Sequence, residues 1–170
     1  MNSSVILTDV LPLNLFYNLD EELYTSWNLT NQSIEDGKIF WGKDTNQENS
    51  LTILEASSII RLKLMKYTLR KIKLCRVQVN GLTCGQVTNI HPDYADETYY
   101  TFIFFSNPYW ELSWGGEFVC INPYTQQAEY APYIPNTGCL IPSNWNHYGK
   151  SPNMITDNLR VTVGFSYQTY

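Results

Sequence analysis

Apolar positions change rhythm near residue 74. Between residues 51 and 72 they recur at intervals of three and four (Ile53, Ala56, Ile60, Leu64 and Tyr67) with no Pro or Gly between them. That spacing predicts one amphipathic helix over 51–72, with Ser50 as its N-cap. Upstream, residues 10–16 and 19–27 predict short helical or mixed elements around a break at Pro12. The polar stretch 32–50, with Gly37, Gly42, Asp44 and Asn46, reads mostly as loop.

Downstream the texture becomes that of strands. Residues 75–79 and 82–90 flank Asn80-Gly81, a dipeptide that supplies the positive φ angles of a tight turn, and so predict a hairpin. Further strands are expected at 99–105, 117–122, 138–141 and 159–167. Asn107-Pro108, Gly115-Gly116, Asn122-Pro123 and Pro135-Asn136 supply turns between them. Many short strands with such turns mean a sandwich, jelly roll or barrel. The expected fold class is mostly β with N-terminal helices (α+β), as a single domain: a helical support over 1–73 against a β core over 74–170.

Composition narrows the function. Only 16% of residues are charged and 44% are hydrophobic, which excludes a disordered chain or a coiled-coil rod. The net charge of −5 argues against a phosphate backbone as main partner. Residues 61–76 hold seven of the eleven positive charges. A nucleic-acid patch along Lys63, Lys66, Arg70 and Lys73 is one reading; a solvated helix face is the better one. No apolar run is long enough to span a membrane, and the first sixteen residues lack the pattern of a secretory signal. The four cysteines (Cys75, Cys84, Cys120, Cys139) show no C-x-x-C spacing, so reduced thiols and a cytoplasmic location are expected. Asn28-Leu29-Thr30 and Asn31-Gln32-Ser33 match the glycosylation pattern, which needs a secretory route.

The chain has two histidines. His91 opens the H-x-D sequence His91-Pro92-Asp93, and His147 follows the strand expected at 138–141. Two imidazoles and one carboxylate are the ligands that hold Fe(II) on one face and leave the other open to a chelating cosubstrate and O₂. The competing reading is two unrelated histidines. Arg160 begins the last expected strand, where a lone cation among β-branched residues calls for an anionic partner. Alternation puts Arg160 and Thr162 on one face, so a guanidinium could grip a dicarboxylate while the hydroxyl adds a neutral hydrogen bond. An internal salt bridge is the other account of Arg160.

The order of H-x-D, distant His and late Arg resembles the iron(II)- and 2-oxoglutarate-dependent dioxygenases. The stretch from Thr101 to Trp110, followed by Trp114-Gly115-Gly116-Glu117-Phe118, is similar to the prolyl-4-hydroxylase-like branch, as is the turn-bearing segment from Tyr133 to Leu140. The resemblance covers about residues 74–167. It implies a double-stranded β-helix (jelly roll) buttressed by the long helix, with the catalytic core in 74–170. It implies His91, Asp93 and His147 as iron ligands and catalytic set, and Arg160 with Thr162 as the cosubstrate site. Fe(II), 2-oxoglutarate and O₂ are then the reacting set, with ascorbate as a candidate reductant. Phe105 stands where animal enzymes of the branch have a Tyr, so Thr162 or another Tyr must supply that hydroxyl.

The activity this implies is hydroxylation of a C–H bond in a peptide or protein, at proline by analogy, with release of succinate and CO₂. Tyr94, Tyr99, Tyr100, Trp110, Trp114 and Trp145 are expected to crowd the mouth, and Asp96 and Glu97 to favour a basic peptide. No nucleic-acid or membrane partner is expected, and the oligomeric state is open. The alternatives are a non-catalytic jelly-roll module binding sugar or peptide, and a dioxygenase acting on a small molecule.

Overall fold

The computed structural model of the chain describes residues 1–24, 26–30, 40–43, 50–86 and 88–170. Most of the polar stretch 32–50 and the Asn31-Gln32-Ser33 sequence therefore lie outside the described residues. Two helices, α1 (Leu13–Leu23) and α2 (Leu51–Thr68), precede most of the strands. The strands are β1 (Val5–Leu7), β2 (Asn28–Thr30), β3 (Phe40–Lys43), β4 (Ile72–Leu82), β5 (Tyr99–Phe105), β6 (Phe118–Ile121), β7 (Ala128–Ala131), β8 (Thr137–Pro142), β9 (His147–Gly149) and β10 (Arg160–Thr169). They form an antiparallel seven-stranded sheet, ordered β1-β8-β5-β10-β4-β3-β2, and a three-stranded sheet, ordered β7-β6-β9. The two sheets make the expected jelly roll.

The N-terminal segment does more than support it. β1 pairs with β8, and β3 pairs with β4, so residues before 74 widen the large sheet at both edges. One helix, not two elements, follows Pro12, and it buries Leu15, Phe16, Leu19 and Leu23. In α2 the Ser50 side chain accepts a hydrogen bond from the Ile53 amide, as a capping serine should. The helix stops at Thr68, four residues short of expectation, because Leu69 takes a left-handed conformation (φ 54°) and Ile72 already belongs to β4. Ile53, Ala56, Ile60 and Leu64 are buried while Tyr67 is exposed. Arg70 and Lys73 fall beyond the helix end, so the basic residues form no single helical face.

The hairpin expected at Asn80-Gly81 is absent. β4 runs through both residues, pairing Gly81 with Val161 of β10 on one side and with Trp41 of β3 on the other. Three-strand pairing overrides the local turn preference, and the space of a Gly81 side chain is taken by Leu159 at 3.0 Å. Beyond Leu82, the end of β4, no strand forms among the described residues up to 90, and His91 instead makes an isolated bridge to His147.

Period-two alternation separates the two faces of the large sheet. Val77, Val79, Phe102, Phe104, Val163 and Phe165 point outwards into the core shared with both helices. On the inner face, Phe105, Cys139 and Ile141 pack against Phe118, Cys120 and Ala131 of the small sheet and its edge. The inner positions of β10 and β4 are polar and line a cavity instead. All four cysteines are free thiols, Cys120 and Cys139 buried. Among the described residues no helix is long and apolar enough to cross a membrane.

Candidate active site

The bridge between His91 and His147 builds the centre. Their backbones exchange two hydrogen bonds, His91 N to His147 O at 3.2 Å and His147 N to His91 O at 3.0 Å. Asp93 is held by its amide, which donates to the Ser143 carbonyl at 2.9 Å. One ligating atom from each of His91, Asp93 and His147 lies within 4.8 Å of the others. The His147 Nε2 stands 3.7 Å and the His91 Nε2 4.0 Å from the Asp93 carboxylate. The expected three residues are thus brought together, His147 deep and His91 at the surface.

The donor set suits a metal. Each Nδ1 meets a backbone carbonyl, Asn89 O at 2.9 Å for His91 and Trp145 O at 3.0 Å for His147. A carbonyl can only accept, so both Nδ1 atoms carry the proton and both Nε2 lone pairs face the carboxylate. Burial pulls the His147 pKa down, against the opposing pull of Asp93 and the Trp145 carbonyl, so its neutral form is favoured. Asp93 Oδ2 accepts from Thr101 Oγ1 at 2.6 Å, and Thr101 shares a 2.8 Å hydrogen bond with Ser143 Oγ. Since the Thr101 proton goes to the carboxylate, Ser143 donates to Thr101. This two-hydroxyl relay fixes the orientation of Asp93. Sequence reasoning passed over both hydroxyls; Thr101 was visible only as a strand residue.

Arg160 is placed by glycines. Its Nε donates to the Gly116 carbonyl at 2.6 Å. A side chain at Gly116 (φ +84°) would meet Arg160 Cδ at 3.0 Å, and one at Gly149 would meet Nη1 at 3.2 Å. The Gly115-Gly116-Glu117 segment is therefore a cradle for the guanidinium, which also lies 5.1 Å over the Tyr133 ring. Tyr133 is buried with its hydroxyl against the Val161 carbonyl and the Asn107 side chain. Burial lowers the Arg160 pKa from its ordinary value to about 10, with Tyr133 and Glu117 opposing. Among the described residues no carboxylate forms an ion pair with Arg160, so the internal salt bridge is not what keeps it there. Its Nη2 is buried without a hydrogen-bond partner.

His91, Asp93, His147, Arg160 and Thr162 line one cavity of about 330 Å³, within the size range of small-molecule pockets. A buried guanidinium nitrogen lacking a partner beside a neutral hydroxyl fits the far carboxylate of a 2-oxo diacid. Phe105 stacks on Tyr133 at 4.7 Å and does not line the cavity; Ile103 does. The aromatic mouth is not found. None of the six aromatics expected there lines the cavity, because Trp110 and Trp145 are core residues, Tyr100 packs on the helix side and Tyr94 stacks on Tyr99 at 4.2 Å. Phe40, Phe118 and Tyr148 line it instead. Asp96 and Glu97 are exposed and outside it.

No protein-family model and no curated protein matches the sequence. Solved structures do match the fold. A prolyl-4-hydroxylase from Pseudomonas putida superposes with a TM-score of 0.70 at 13% identity, covering 100% of this chain and 94% of that one. The epimerase SnoN of nogalamycin biosynthesis, in complex with Fe³⁺, alpha ketoglutarate and nogalamycin RO, gives 0.77 at 11% identity, covering 99% and 79%. A prolyl hydroxylase from Trichoplax adhaerens, bound to a hypoxia inducible factor peptide fragment, gives 0.68 at 15% identity, covering 99% and 84%. At these identities the likeness is one of fold. The chain has the double-stranded β-helix of the 2-oxoglutarate-dependent iron oxygenases, with an H-x-D and distal His set assembled inside it.

Proposed function

We propose that the protein is an Fe(II)- and 2-oxoglutarate-dependent dioxygenase that hydroxylates a C–H bond in a peptide or protein, most directly at proline. The observation that carries the chemistry is the convergence of His91, Asp93 and His147 on one point of a cavity whose other end holds Arg160 with an unpartnered Nη2. When bound, iron and cosubstrate supply the overall conversion of substrate C–H, 2-oxoglutarate and O₂ into C–OH, succinate and CO₂.

The chain's own residues bind and orient. The two Nε2 lone pairs and the Asp93 carboxylate hold the metal on one face, and the Thr101–Ser143 relay keeps that carboxylate from turning away. Arg160 and Thr162 fix the far carboxylate of the cosubstrate. Burial at Arg160 strengthens that pairing, because neither partner is solvated. No protein nucleophile is needed, and both histidines are already engaged. Support for a peptide substrate comes from likeness to two prolyl hydroxylases, one of them bound to a peptide. Likeness to SnoN, whose structure holds nogalamycin RO, and the exclusion from the cavity of the six aromatics expected at its mouth favour a small-molecule substrate as the second reading.

The test is incubation of Fe(II)-loaded protein with 2-oxoglutarate, with ascorbate as reductant, and with peptide and metabolite extracts. Succinate should form, and a mass search should find added oxygen that depends on His147. Added oxygen confined to metabolites would replace the peptide reading with the small-molecule one. Absence of succinate under all conditions would remove the oxygenase reading.

A further inference from the structure

The polar floor of the cavity continues past the groups assigned to metal and cosubstrate. β10 and β4 lie side by side in register, so Thr162 stands beside Asn80 and Ser166 beside Arg76. Arg76, Gln78 and Ser166 line the same cavity as Arg160. Six residues along β10 separate Arg160 from Ser166, about 20 Å of strand, so the two arginines mark opposite ends. Ser166 is also the register partner of Thr101, whose hydroxyl binds Asp93. Arg76 therefore lies two strands, about 10 Å, from the residue that orients a metal-facing carboxylate. An arginine side chain and a small anionic group together span that distance.

Arg76 is half-buried, and its Nη2 donates to the Gln78 side-chain oxygen at 2.6 Å. Among the described residues no Asp or Glu forms an ion pair with it. A neutral amide offsets little of the desolvation of a cation, whereas a planar carboxylate matches the guanidinium fork with two charge-assisted hydrogen bonds. The acids nearest the metal loop in sequence, Asp96 and Glu97, lie outside the cavity and do not compete.

We infer that Arg76, steadied by Gln78, is a substrate subsite for a carboxylate group, so that the molecule oxidised is an acid whose reacting C–H lies a few bonds from its carboxylate. The subsite rests on the oxygenase reading for what happens to the substrate, not for the anion itself. The carboxylate has two possible sources, a free acid or an acidic side chain within a peptide.

The experiment is isothermal titration of the full chain loaded with Zn(II) and saturated with 2-oxoglutarate, which occupies the Arg160 end and does not turn over. One pair of probes is N-acetyl-proline and its amide; the other is a capped pentapeptide Ala-Glu-Pro-Ala-Ala and its Gln counterpart. In the wild-type protein the acid of at least one pair should bind about tenfold or more tighter than its neutral partner. Arg76→Gln should erase the difference and Arg76→Lys should keep part of it. A preference in the first pair alone assigns a free acid, and one in the second pair alone assigns an acidic side chain. Equal or absent binding across both pairs, or a preference that survives Arg76→Gln, overturns the subsite. Acid discrimination through Arg76 in a protein that binds neither Zn(II) nor 2-oxoglutarate keeps the subsite and removes the oxygenase reading.

Discussion

Replacing Arg160 with Met should remove most of the protein's response to 2-oxoglutarate while leaving the unliganded fold close to its original stability. Burial holds the guanidinium pKa at about 10, well below its ordinary value. That difference is a cost of about 3 kcal/mol to the charged folded form. A lowered basic pKa penalises folding wherever the folded group is charged. The cost is therefore complete at neutral pH and disappears as pH climbs through about 10 towards the ordinary arginine value. Met removes it and keeps much of the apolar stem.

Two losses oppose that gain. The Gly116 carbonyl loses its 2.6 Å donor, at about 1–3 kcal/mol. The ring of Tyr133 loses a cation 5.1 Å away, at about 0.5–2 kcal/mol. The sum lies within about 2 kcal/mol of zero. The ligand side does not cancel. Removing one partner of a desolvated charge pair costs about 2–5 kcal/mol of affinity, roughly thirtyfold to several-thousandfold in Kd. Thermal melts of the Zn(II)-loaded proteins read both quantities. With 2-oxoglutarate at about 100 times the wild-type Kd, binding adds about 2.7 kcal/mol and raises the wild-type Tm by several degrees. The variant should keep at most about a third of that rise, and none at the upper end of the affinity loss. A wild-type rise in Arg160→Met would mean that Arg160 does not hold the cosubstrate, and an unliganded Tm lowered by tens of degrees would make it a structural residue.

Other substitutions separate site from scaffold. Thr101→Val removes the 2.6 Å hydrogen bond to Asp93 and should weaken Co(II) affinity about 10- to 100-fold in chelator competition; unchanged affinity would leave the hydroxyl relay without a role. Gly138→Ala puts a methyl 2.4 Å from Phe102 Cζ and 2.7 Å from the Ile103 carbonyl. Because the strand backbone cannot swing aside, urea unfolding should show a loss of about 1–3 kcal/mol or more, and a neutral result would contradict the packing described. Ser50→Ala removes the cap of α2 and should cost about 1 kcal/mol by the same measurement, with wild-type stability counting against it.

What could be read from the sequence follows from how strongly local residues determine local structure. β5 and β10 announce themselves because aromatic and β-branched residues fill them, β8 through its short apolar run Cys139-Leu140-Ile141, and α2 because its buried stripe is unbroken. The cluster of His91, Asp93 and His147 was legible because a chain with two histidines leaves little choice. Asn80-Gly81 misled because two neighbouring strands and Leu159 settle its conformation, none of them nearby in sequence. β1 and β9 have three residues each, too short for any period, and exist through their partners. The roles of Thr101, Ser143, Tyr133 and Gly149 depend on contacts across the fold, so residue type alone carried no signal for them. The aromatic mouth failed for the opposite reason: large rings near the metal loops in sequence were drawn into the core, where they bury more area.

The most direct test of the central claim needs no substrate. Fe(II) is added under strict exclusion of oxygen, and 2-oxoglutarate is titrated in while the visible absorbance is followed. One Fe(II) should bind per chain, with a charge-transfer band that saturates at one cosubstrate per iron. The band should be lost in Asp93→Ala and shifted to far higher 2-oxoglutarate concentrations in Arg160→Met. A protein that binds no Fe(II), or whose Asp93→Ala variant gives the same band, would contradict the assignment of His91, Asp93 and His147.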